Sequence, residues 1–62
     1  MELKAYMFEH RITCRTMAKQ LNIHEMYLSS IKNKKRKPSI DLSERIEILT
    51  GGEVTVKEIR SM

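Results

Sequence analysis

The chain's only helix-breaking residues are Pro38 and the pair Gly51–Gly52, and they fall between short runs of apolar residues spaced three and four apart. That spacing places apolar side chains on one side of a 3.6-residue repeat, and the breakers limit how far each repeat can extend. A chain of 62 residues punctuated in this way is predicted to be all-α, a set of four or five short helices around one core. So small a core gives a stability margin of only a few kcal/mol.

Leu3, Tyr6, Met7 and His10 form the inner face of a first helix, with Phe8 and Ala5 off that stripe. Phe8 thus marks either a second buried side or a contact with another chain. Thr13 is a suitable N-cap for a second helix with Met17, Ala18 and Leu21 inward, and Asn22 tolerates the left-handed conformation at its end. A third helix starts at His24 or Glu25 and carries Leu28 and Ile31 to about Asn33. Ser39 caps a fourth, with Leu42, Arg45, Ile46 and Leu49 on one face and Ile40 and Ile48 projecting elsewhere. For the tail two readings stand. Thr55 to Glu58 fits a capping box, with Val54 and Ile59 as a hydrophobic staple, which predicts a helix from Val56. The alternation of Val54 and Val56 with Glu53, Thr55 and Lys57 also suits an edge strand pairing across a dimer.

Charge narrows the function. Residues 32–37 hold Lys32, Lys34, Lys35, Arg36 and Lys37 with no acid, while the stretches before and after are near neutral and acidic. A focused cationic segment favours an extended anion, with nucleic acid first. Three aromatics, Tyr6, Phe8 and Tyr27, are too few for a single-strand stacking platform. The single Cys14 cannot form an internal disulfide, there is no apolar run of membrane-spanning length and no secretory h-region, so a cytoplasmic protein is expected. His10, Cys14 and His24 are too few and too scattered for a closed zinc site, and a 62-residue helical chain has little room for the cleft in which a positioned base would activate Cys14; neither metal, cofactor nor enzymatic activity is expected.

The second and third helices are separated only by residues 22–24, which predicts a helix-turn-helix over about 13–33, followed by a basic loop at 32–37. At 100° per residue, Met26, Ser29, Ser30 and Asn33, with Glu25 beside them, lie opposite Leu28 and Ile31. Short polar groups there can enter a major groove: Glu25 to accept from cytosine N4, the serines to donate or accept, Met26 to pack on a thymine methyl, Asn33 to pair with adenine or a phosphate. The basic loop would follow the phosphates.

These residues resemble a family. Thr13 to Ser39 looks like the helix-turn-helix of phage Cro and phage repressors: Met17-Ala18 for its L-A pair, Asn22-Ile23 for its Gly-Val turn, Leu28-Ser29 for its apolar-Ser pair, and Asn33, Lys34, Lys35 and Pro38 for its N-G-K-x-x-P loop. Arg45 to Thr55 further looks like the small Cro-like proteins whose fourth helix ends in T-G-G-x-V. The resemblance implies a lambda-repressor-like single domain over 1–62 that binds operator DNA as a homodimer and represses transcription in a bacterial or phage-infected cell. It assigns base reading to Glu25, Met26 and Ser30, phosphate contacts to His24 and Asn33, and a second phosphate clamp to Thr13 and Cys14. Cys14 stands where that family has Gln, so the clamp would rely on backbone N–H groups or Arg15; Asn22 and Lys34 replace glycines, and His24 replaces a capping Ser or Thr. An alternative from another class is an antitoxin-like module that holds a protein partner. Phe8, Ile40, Ile48, Val54, Val56 and Ile59, the last three in a tail at 53–62, would form either the partner surface or the homodimer.

Overall fold

The computed structural model describes residues 1–61, which form five helices and, among the described residues, no strand. In chain order they are α1 (Leu3–Glu9), α2 (Cys14–Leu21), α3 (Glu25–Lys32), α4 (Ile40–Leu49) and α5 (Val56–Arg60). One core joins all five: Leu3, Tyr6 and Met7 from α1, Met17, Ala18 and Leu21 from α2, Leu28 and Ile31 from α3, Leu42 and Ile46 from α4, and Ile59 from α5. Ile12, Cys14, Ile23 and Tyr27 pack half-buried against it.

Starts follow the capping chemistry. Thr13 Oγ1 accepts from Thr16 N–H at 3.1 Å, Ser39 Oγ from Leu42 N–H at 3.1 Å, and Thr55 Oγ1 from Glu58 N–H at 3.2 Å. Glu58 Oε1 accepts from Thr55 N–H at 3.1 Å in return, completing the capping box. The tail is therefore helical and the strand reading is overturned. Each cap satisfies backbone donors that have no partner within the helix.

The first four helices leave by one device. Arg11, Asn22, Lys34 and Gly51 each adopt positive φ, at 53°, 58°, 60° and 66°. The residue after each donates its N–H five residues back: Ile12 to Met7, Ile23 to Ala18, Lys35 to Ser30 and Gly52 to Glu47. This is a Schellman-type exit, which satisfies carbonyls otherwise orphaned. Asn22 was legible for that role, but Arg11 and Lys34 are side chains that seldom take it.

Several sequence expectations are corrected. Helix α1 ends at Glu9, so His10 is an exposed C-cap whose ring stacks 4.2 Å from that of Tyr6 rather than a core residue. On α4 the buried face is Leu42, Ser43 and Ile46, continued by Thr50, while Arg45 and Leu49 are exposed. Ser43 can be buried because its hydroxyl donates to Ser39 O at 2.8 Å. Val54 is 0% exposed and Ile59 is buried, because the turn after α4 folds the tail back onto the core. Neither is available to a second chain, and Val56 is half-buried. Thr50 holds that turn, its Oγ1 accepting from Val54 N–H at 3.2 Å.

Two long contacts add to the core. The Arg45 guanidinium donates to Leu21 O at the end of α2 at 2.6 Å, and that of Arg60 donates to Pro38 O. No helix among the described residues is long and apolar enough to cross a membrane.

Candidate nucleic-acid interface

The short turn between α2 and α3 is built by Asn22, whose left-handed conformation ends α2, and by Ile23, which anchors the turn on the core. His24 then caps α3: its Nδ1 accepts from Met26 N–H at 3.1 Å. The imidazole supplies the acceptor that a Ser or Thr hydroxyl would have supplied, and with Nδ1 unprotonated the ring's proton sits on Nε2.

Burial of Leu28 and Ile31 turns the opposite face of α3 outward. Glu25 and Met26 are exposed, Met26 at 72%, and Ser29 and Ser30 are half-buried beside them. Asn33 sits at the C-cap, its amide 3.5 Å from Ser29 Oγ. The Ser30 hydroxyl donates to Met26 O at 3.1 Å, so what it presents outward is an acceptor. The four base-reading candidates therefore share one face.

The phosphate candidates fall into two groups. Thr13 and Cys14 border a groove with Phe8, Ile12 and Lys32 on the α1 side. Arg15, Lys19, His24 and Glu25 border a shallow depression between α2 and α3. Sequence reasoning assigned nothing to Lys19, although its place one turn after Arg15 on an outward face marks it as a further cation of this group.

The basic loop is less uniform than its sequence. Lys34 forms an ion pair with the carboxylate of Glu2, the residue that opens α1. The Arg36 guanidinium lies over the Tyr27 ring, 5.0 Å from its centroid. Lys35 and Lys37 are exposed and take no carboxylate partner among the described residues. Lys34 and Glu2 lie far apart in sequence, Arg36 and Tyr27 only nine residues, and neither Glu2 nor Tyr27 carries a periodic signal that would have revealed the partnership. Of the apolar surface candidates, Phe8 is 86% exposed and Ile48 79%, with Ile40 also outward.

Beside the loop, where Glu58 borders one groove with Glu2, Asn33 and Lys34, the Met1 ammonium lies 2.5 Å from Glu58 Oε2 and 2.8 Å from Glu53 O. That ammonium, together with the Thr55 N–H and hydroxyl, holds the Glu58 carboxyl below the ordinary carboxylate range. His, Cys, Asp and Glu do not gather in groups of three or more that could hold a metal ion among the described residues. No family model, curated protein or solved structure matches the chain.

Proposed function

We propose that this protein is a sequence-specific double-stranded DNA-binding regulator, in which α2, the turn at 22–24 and α3 act as a helix-turn-helix and α3 reads the major groove. The observation that supports this reading is the outward face of α3, with Glu25, Met26, Ser29 and Ser30 free of the core, running directly into a loop of cations. Base edges are read by the face, and phosphates by Thr13, Cys14, Arg15, His24, Asn33 and the loop residues Lys34 to Lys37. Binding as a homodimer to an operator, in the cytoplasm, would repress by occupying the promoter.

Selection of bound duplexes from a random pool tests the claim. The expected product is a two-fold symmetric consensus, its half-sites one helical turn apart; a pool that stays random after several rounds would sink it. If the four loop cations Lys34 to Lys37 meet phosphates on each of two subunits, log-affinity falls with log salt at a slope on the order of −7. Glu25→Gln should change preference at one base step per half-site, while Lys35→Ala should weaken all sequences alike and flatten the slope by about one per subunit. Indistinguishable effects of the two substitutions would refute the division of labour.

The exposure of Phe8, Ile40 and Ile48 favours a protein contact as well. A homodimer uses such a surface, and so would an antitoxin's partner. Sedimentation separates them: a stable symmetric dimer of the pure protein supports the regulator, and a monomer that orders only with a co-expressed partner supports the antitoxin.

A further inference from the structure

Two loop cations have side-chain partners, Lys34 in the Glu2 carboxylate and Arg36 in an aromatic ring of α3. The Arg36 guanidinium stacks on Tyr27, 5.0 Å from the ring centroid. Its backbone is held as well, because the N–H groups of Lys35 and Arg36 both donate to Ser30 O, at 2.8 and 3.3 Å. The ring is itself fixed, since Tyr27 packs half-buried against the core on the flank of α3 next to Ser30. A guanidinium resting on a ring face keeps the donors of its edges, so stacking orders it without using its hydrogen bonds. Arginine's planar fork matches two phosphate oxygens at once, which the point charge of a lysine does not.

We infer that Tyr27 is a positioning residue that holds Arg36 as a preorganised bidentate clamp for a backbone phosphate at the edge of the groove read by α3. The inference rests on the DNA-binding reading and extends it. Lys35 and Lys37 act as mobile charges, Lys34 joins them by leaving Glu2, and Arg36 sets the register of α3 along the duplex. Ordering the side chain before binding removes part of the entropy that binding would otherwise cost.

Because a phosphate contact is independent of sequence, a random 20-base-pair duplex is a sufficient probe. Tyr27→Leu keeps the apolar body and loses the ring; Tyr27→Phe keeps the ring; Arg36→Lys keeps the charge and leaves the core untouched. Tyr27→Leu and Arg36→Lys should each weaken binding about two- to fivefold per subunit, the range of an exposed cation–π contact. Their combination should be no weaker than either alone, and Tyr27→Phe should bind like the unaltered chain. In the free protein the Arg36 Nε–H order parameter, measured by NMR relaxation, should fall on Tyr27→Leu and not on Tyr27→Phe. That readout is independent of DNA and of any small loss of stability. Additive effects of the two substitutions, or an Arg36 side chain as mobile in the unaltered protein as in Tyr27→Leu, would overturn the inference while leaving DNA binding intact. An unaltered chain that fails to bind the duplex even at low salt would overturn the DNA-binding reading, and the phosphate role with it.

Discussion

Between residues 39 and 60 the protein turns its polar side chains onto its own backbone, whereas between 13 and 37 it leaves most of them facing water. In the α4–α5 half, Ser39, Ser43, Glu47, Thr50, Thr55, Glu58 and Arg60 all bond to caps, carbonyls or turns. In the α2–α3 half the side chains of Arg15, Lys19, Gln20, Glu25, Lys35 and Lys37 are exposed, and only Thr13 and His24 close a helix end. Nearly equal lengths of chain thus divide the work. Polar groups satisfied internally specify where a segment lies, and those left unsatisfied are what a ligand can recognise.

Substitutions can break this contrast. The largest effect belongs to the shared core: Ile46→Ala, at a fully buried position of α4, should cost roughly 2–5 kcal/mol in urea denaturation, comparable to the whole margin of a domain this small. DNA binding should be lost with the fold. A cost under about 1 kcal/mol would mean that the two halves do not depend on one core.

The capping box sharpens the contrast. Thr55→Ala should cost about 1 kcal/mol and leave DNA affinity unchanged. Because Glu58 is held below its ordinary range when folded, its stabilisation is present above that range and is lost as the pH falls through the depressed folded value. Thermal melts between pH 7 and pH 2 should therefore decline less steeply for Glu58→Gln than for the unaltered chain. Parallel declines would show that this carboxylate does not support the acidic half.

The smallest effect has the opposite sign. Lys34 occupies a left-handed backbone at φ 60°, which glycine adopts without strain. Lys34→Gly should raise stability by about 0.5–1 kcal/mol and lower DNA affinity, with a salt slope flatter by roughly one per subunit. Gains in both would remove Lys34 from the phosphate contacts.

What could be read from the amino acids alone follows the same division. Caps at Thr13, Ser39 and Thr55 and the inner faces of α2 and α3 were legible, because capping and helical periodicity act within a few residues. The outward face of α3 followed from the inward one. His24 as a cap was not legible, since an imidazole acceptor depends on how the ring is turned. Val54 and Ile59 were placed on a dimer surface because nothing local distinguishes an apolar tail that folds back from one that reaches a neighbour. The pairs Glu2–Lys34 and Arg45–Leu21 join segments that meet only after the core has formed, and Arg36 reaches Tyr27 only through the left-handed turn at Lys34.

The shared exit of α1 to α4 bears on time. Each exit closes a ring of six residues by its own backbone bond, so the reversals of direction between helices need little long-range search. Helical domains dominated by such local closures fold in microseconds to milliseconds. Synthesis of a 62-residue stretch such as this at roughly 5–20 residues per second takes about 3–12 s. Closure of these exits is therefore far faster than synthesis of the stretch that contains them.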